Sequence, residues 1–262
     1  MKKDYRFIEI KTEGAVARIM LNRPDRHNAL TPELILELDQ ALDEFSLMDE
    51  LLFVVLSGNG RSFCAGADLH WFSGSEERTL EENTAQYKML ADVLLKLFQL
   101  PQITIATVHG NVFGGGIGLM ATCDFVLANP FTRFMFSEVK LGLLPATILP
   151  FIVKRLSIQY LRKWILTASM FNATEAFQSG LVDLLPGDGL MDTSLREFMA
   201  LYETGSPSSL RMAKTMINQV ACGEIGIHDT EMTSKILAHT LLSPDGQEGI
   251  HAFLEKRKPE WK

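Results

Sequence analysis

The sequence predicts a mixed α/β fold, and three observations carry that prediction. Mostly apolar runs of strand length occur at 52–57, 103–108 and 125–128. Between them lie longer stretches with apolar residues at helical spacing. Beyond about Gly180 the strand signals thin out and helix-start signals replace them.

In chain order, 5–11 and 15–21 alternate apolar and polar residues and turn at Glu13-Gly14, which predicts a hairpin. Thr31 followed by Pro32 marks a helix start, with Leu34, Leu38, Leu42 and Phe45 on one face. The run 52–57 predicts a buried strand, followed by a loop punctuated by Gly58, Gly60 and Gly66. A long helix over 80–100 presents Tyr87, Leu90, Leu94 and Leu97 on one side. Two more strands, 103–108 and 125–128, flank a glycine-rich segment expected to open a short helix. Ser206-Pro207 and Ser243-Pro244 are again cap-plus-proline pairs and predict two further helices. The tail from Ser243 carries Ile250, Phe253 and Leu254 on one stripe, which a docked helix would explain. An α/β body over 1–200 and a helical region over 201–262, with the hinge near 190–205, follow from this reading.

At 262 residues the chain is long enough to bury a full core. A net charge of −7 argues against a nucleic-acid surface, although an anionic ligand needs only a local basic spot. No apolar run reaches the roughly 18–20 residues of a membrane span. The opening MKKDYRFIEIKTEG alternates like a strand and has no apolar signal region. Cys64, Cys123 and Cys222 stand in apolar settings and read as reduced thiols, consistent with a cytoplasmic location. The six histidines lack metal-ligand spacing, so no metal is expected.

The segment VHGNVFGGGIGLM places Gly114, Gly115, Gly116 and Gly118 within five positions, although glycine inside a regular element costs roughly 0.5–1 kcal/mol. A dinucleotide fingerprint fits Gly116, Gly118 and Ala121. It fails on spacing, because the strand at 125–128 leaves no room for the crossover helix. Close packing of a short helix, or helix-terminal N–H groups kept open for a developing negative charge, remain. A second glycine turn, FCAGADL, could offer another N–H to the same oxygen.

These blocks, FCAGADLHW, VHGNVFGGGIGL and FSEVKLGLLPATI, together with NRPDRHNAL and SPDGQEGIHAFLEKRKPEW, resemble the signatures of the crotonase (enoyl-CoA hydratase/isomerase) superfamily across nearly the whole chain. The resemblance implies a spiral of ββα turns, a C-terminal helical trimerisation region, a homotrimer or hexamer, and an acyl-CoA thioester substrate with no further cofactor. It also implies an oxyanion hole from the backbone N–H groups of Ala67 and Gly115, lined by Ala65, Asp68, Leu69 and His70. Family hydratases carry two glutamates. One is matched by Glu138; at the other position this chain has Gly118.

The wording around the site is most similar to bacterial methylglutaconyl-CoA and isohexenylglutaconyl-CoA hydratases, in which glycine also stands at that position. The expectation is therefore hydration of a branched or carboxylated 2-enoyl-CoA, with Glu138 moving the proton and the substrate carboxylate or His70 holding the water. Alternatives are a single-glutamate double-bond isomerase and a non-catalytic binding scaffold. Ala146 stands where thioester hydrolases of the superfamily have an aspartate, which disfavours them.

Arg23 and Arg26 become candidates for the CoA phosphates under the resemblance, against a solvated turn otherwise. Phe253 and Lys256 match tail positions that reach a neighbouring subunit's CoA. Asp68 reads more readily as a cap, Trp71 as packing or acyl-pocket wall, and Cys64 as a buried small residue rather than a nucleophile.

Overall fold

The computed structural model describes residues 5–221 and 226–261. Cys222 lies outside the described residues. The chain divides between Ser194 and Leu195 into two compact units.

The first unit begins with β1 (Ile8–Glu13) and β2 (Val16–Leu21), an antiparallel hairpin closing at Glu13 opposite Val16. Helix α1 (Pro32–Ser46) starts where Thr31 predicts: the Thr31 hydroxyl accepts from the Leu34 N–H at 3.3 Å. Its apolar stripe, Leu34, Leu38, Leu42 and Phe45, is buried. Strand β3 (Phe53–Gly58) follows, then the short helix α2 (Leu69–Phe72) and the long helix α3 (Leu80–Gln99). Thr79 and Glu82 cap α3 reciprocally, and its inward stripe is Leu90, Val93, Leu94 and Leu97.

Strands β4 (Ile103–Val108), β5 (Asn111–Phe113), helix α4 (Gly115–Ala121), β6 (Phe125–Ala128) and β7 (Arg133–Met135) complete the glycine-rich region. A turn at Glu138–Leu141 leads through α5 (Leu149–Ile152), α6 (Ile158–Thr167), β8 (Phe171–Asn172) and α7 (Ala173–Gln178). Helix α8 (Met191–Ala200) contains the division between the units.

One sheet has the order β1-β2-β3-β4-β6, parallel beyond the hairpin, and a smaller sheet has the order β5-β7-β8. Parallel strands need both faces covered, which is why β4 is buried along its whole length. The smaller sheet was not expected from the sequence. It matters because β5 and β7 lead directly into α4 and the Glu138 turn.

The second unit holds α9 (Pro207–Val220), α10 (Ile227–Leu242) and α11 (Pro244–Glu255). Ser206 and Ser243 cap α9 and α11 as the serine-proline pairs predict. Asp245 is buried and accepts from the Ser206 and Ser208 hydroxyls at 2.6 Å each, tying α11 to the start of α9.

Candidate active site

The site is assembled by three segments that run side by side. Residue Cys64 bridges Val112 of β5 in parallel register, with the Phe113 N–H donating to the Cys64 carbonyl at 3.0 Å. Gly66 therefore lies against Gly114: a Cβ on Gly66 would sit 3.1 Å from the Phe113 carbonyl oxygen and 3.9 Å from Gly114 Cα. On its other side the strip bridges Leu30, whose N–H donates to the Gly66 carbonyl at 2.8 Å and whose carbonyl accepts from the Asp68 N–H at 2.9 Å. Both bonds use Gly66 and Asp68, so the Ala67 N–H between them donates to no protein acceptor among the described residues.

Gly115 is the first residue of α4, where a helix leaves its N–H groups without intrahelical acceptors. The Gly114 N–H is taken by the Met135 carbonyl at 3.0 Å, and Ile117 and Gly118 donate back to the Gly114 carbonyl. The Gly115 N–H has no protein acceptor among the described residues. Register thus sets the open amides of Ala67 and Gly115 on adjoining strips, two positions beyond the Ala65–Phe113 pair.

Glu138 closes the arrangement. A Cβ on Gly114 would fall 2.9 Å from Glu138 Oε1, so the carboxylate lies against the residue preceding Gly115. Only glycine suits Gly114, which also sits at φ +46. Glu138 Oε2 is buried and has no hydrogen-bond partner among the described residues, a condition native proteins rarely leave without a use. Burial raises the Glu138 carboxyl above the ordinary glutamate range, against the opposing hydrogen bonds of the Glu138 and Ser137 backbone N–H groups.

Gly118 presents the opposite picture. Its missing side chain points at Ile148: a Cβ there would be 2.2 Å from Ile148 Cγ2 and 3.7 Å from Leu94 Cδ1. Ile148 and Leu94 are both fully buried. The space that a second carboxylate would need is therefore filled with hydrocarbon. Gly116 is equally constrained, since its Cβ would lie 2.6 Å from the Cys64 carbonyl oxygen. Close packing explains these two glycines, whereas Gly115 stands in register beside Ala67 with its amide open.

The remaining candidates separate by setting. Arg23 is half-buried, pairs with Asp68 at 3.1 Å and donates to the Ala29 carbonyl, so its guanidinium anchors the strip that carries Ala67. Arg26 is exposed at the surface beside Asp25. Asp68 caps α2 by accepting from the His70 N–H at 3.1 Å; burial raises its carboxyl, but that bond and the Arg23 pair outweigh it and hold it low. Ala65 is fixed by its N–H to the His27 carbonyl at 2.9 Å. Leu69 and His70 are exposed on α2. The Cys64 thiol is pushed up to about 12 by burial, which keeps it a protonated, inert core group. Phe253 and Lys256 belong to the second unit, where Phe253 borders an apolar hollow with Ile250, Leu254 and Trp261.

Two residues escaped the sequence reading. Ile148 lies 30 positions beyond Gly118 with no local signal linking them. Asn28 is buried at φ +54, accepts from the Arg23 N–H at 2.8 Å, and donates to the Asn59 and Ser62 carbonyls at 2.8 Å each. It joins the loop after β2 to the loop after β3. Asn28→Ala should destabilise the fold by at least about 2 kcal/mol, because it strands these groups in the interior. Denaturant unfolding measures this; an unchanged midpoint would remove Asn28 from the scaffold.

The profile of the enoyl-CoA hydratase/isomerase family matches residues 11–262. The chain belongs to that family. A 2,3-dehydroadipyl-CoA hydratase of Escherichia coli is 30% identical over 97% of this chain and 97% of its own length. Among solved structures, an enoyl-CoA hydratase of Shewanella pealeana superposes with a TM-score of 0.93 at 33% identity, covering 98% of this chain and 96% of its own. AtuE of Pseudomonas aeruginosa superposes equally well, with a TM-score of 0.93 at 30% identity over 97% and 98% of the two chains. The expected crotonase fold is therefore the observed one. Within the enoyl-CoA hydratase/isomerase family, this chain combines Glu138 with a hydrocarbon-filled Gly118 position. Among the described residues, no helix is long and apolar enough to cross a membrane.

Proposed function

We propose that the protein hydrates a 2-enoyl-CoA whose acyl chain is branched or carboxylated, of the 3-methylglutaconyl-CoA kind, with Glu138 as the sole carboxylate acid/base. The observation that carries this reading is the unpartnered, buried Oε2 of Glu138 beside Gly114. In the proposed reaction the Ala67 and Gly115 N–H groups receive the thioester oxygen. Glu138 takes a proton from water as the hydroxyl adds to C3, and negative charge moves to the thioester oxygen as an enolate. Glu138 then returns a proton to C2. The amides are already in place, so they meet the developing charge at little reorganisation cost; losing one such donor typically lowers the rate about 10²–10³-fold.

A methyl group at C3 suits a site with one carboxylate. In the dehydration direction it makes the departing hydroxyl tertiary and eases C–O cleavage, which lessens the demand for a second group to help that hydroxyl leave. The carboxylated part of the proposal is supported by the relative named for 2,3-dehydroadipyl-CoA. CoA enters as part of the substrate, and no step of this scheme calls for another cofactor.

Loss of the conjugated thioester's ultraviolet absorbance tests the reading. The expected result is faster turnover of 3-methylglutaconyl-CoA than of crotonyl-CoA. Faster turnover of crotonyl-CoA would count against it. The filled space at Gly118 favours one second reading, double-bond isomerisation by Glu138 alone, which a 3-enoyl-CoA converted without net water addition would reveal.

A further inference from the structure

The indole of Trp71 is buried, with the residue only 6% exposed, yet its Nε1–H has no acceptor among the described residues. A buried indole N–H ordinarily finds a partner, and leaving it unpaired is costly. The ring is held firmly. It stacks on Phe72 with centroids 6.3 Å apart and meets Tyr87 of α3 at 5.7 Å.

Its position relates it to the reacting atoms. Trp71 lies four residues beyond Ala67, on the helix that Asp68 caps. Tyr87 precedes Leu90 on the same face of α3 by about one helical turn. Leu90 Cδ2 in turn lies 3.9 Å from where a Gly115 Cβ would be. The aromatic pair therefore sits one turn along α3 from the open amide, at the scale of a short acyl chain.

Arg78 supplies charge to the same corner. Its guanidinium donates to the Trp71 and Ser73 carbonyls at 3.4 and 2.7 Å, to Asn83 Oδ1 at 3.2 Å and to Gln86 Oε1. All of these acceptors are neutral, and among the described residues no carboxylate lies within ion-pair distance of Arg78. The half-buried positive charge is held in place but not neutralised.

We infer that Trp71 and Arg78 form a subsite for a carboxylate at the far end of the acyl chain, the indole N–H donating to it and the Arg78 charge favouring it. The inference rests on the enoyl-CoA reading above and narrows it to acyl groups with a second carboxylate.

Calorimetric binding of two saturated esters, glutaryl-CoA and butyryl-CoA, tests the subsite without turnover. The protein should bind glutaryl-CoA more tightly. In Trp71→Phe, which keeps the ring and removes the donor, the affinity ratio of glutaryl-CoA to butyryl-CoA should fall at least roughly tenfold, as for loss of a hydrogen bond to a charged group. Arg78→Gln should lower the same ratio, and gives the test a second route should Trp71→Phe fold poorly. A ratio unchanged from wild type in either folded variant would overturn the subsite. Failure of hydration with the subsite ratio intact would instead sink the hydratase reading alone.

Discussion

Glu138→Gln lowers turnover at least about 10²-fold, the lower range for a positioned acid/base, while the folded protein becomes more resistant to heat near neutral pH. The first effect is the loss of the proton-carrying group; the second comes from its burial. Desolvation raises the Glu138 carboxyl above the ordinary value of 4.5, so the folded chain holds this proton more tightly than the unfolded chain does. The stabilising contribution of a raised group is complete below the unfolded value and is lost as pH rises through the folded value. At neutral pH the ionised carboxylate therefore weighs against folding, and an uncharged amide of the same shape relieves it.

Melting curves at several pH values read this directly. The gain in melting temperature should be present near pH 7, shrink as pH falls through the raised folded value, and be gone below about 4.5, where Glu138 is protonated in both states. The hydration rate of the wild type should rise with pH through a value above 4.5, because the proposed step needs the ionised base. Near-normal turnover in Glu138→Gln would remove the residue from the reaction. A loss of stability would contradict its burial as a strained charge.

Gly118→Glu is the second large effect, and it runs against the expectation that adding a glutamate improves a hydratase. The new Cβ would lie 2.2 Å from Ile148 Cγ2, with Leu94 Cδ1 at 3.7 Å. Overpacking alone typically costs about 1–3 kcal/mol, and a carboxylate against two buried aliphatic side chains adds desolvation to it. The single variant should lose at least about 2 kcal/mol of stability and gain no crotonyl-CoA hydration. Adding Ile148→Ala removes the nearest obstructing atom, Cγ2, and leaves the Cβ of position 148 at 2.9 Å, so the double variant should be more stable than the two separate changes add up to. Denaturant unfolding of the four proteins completes this cycle. Simple additivity, or a Gly118→Glu protein as stable as wild type, would show that Ile148 does not fill that space.

The parts of the molecule legible in the sequence are those written locally. Thr31-Pro32, Ser206-Pro207 and Ser243-Pro244 start helices where the missing proline N–H is an orphan anyway. The buried strand over 125–128 has the observed bounds of β6, and the stripe Leu90, Leu94, Leu97 marks the inward face of α3. The small sheet was not legible, because β5, β7 and β8 are two or three residues long and show no period. Helix α10 falls within the helical region expected over 201–262, but its own start was not legible, because Gly226 offers no side-chain cap to mark it.

At the site, motif wording identified Ala67, Gly115 and Glu138 as residues to follow, but not what each glycine is for. Gly116 and Gly118 are dictated by Cys64 and Ile148, contacts between distant segments that no local pattern encodes. Arg23 is a candidate for the CoA phosphates only through the family resemblance; its pairing with Asp68, 45 positions away, is a contact that no local pattern encodes.

A crystal structure with a bound, non-reacting enoyl-CoA analogue tests the central claim most directly. The thioester oxygen should lie about 2.7–3.1 Å from both the Ala67 and Gly115 nitrogens, with a Glu138 carboxylate oxygen facing C2 and C3. An oxygen held elsewhere, or an acyl chain turned away from Glu138, would contradict it.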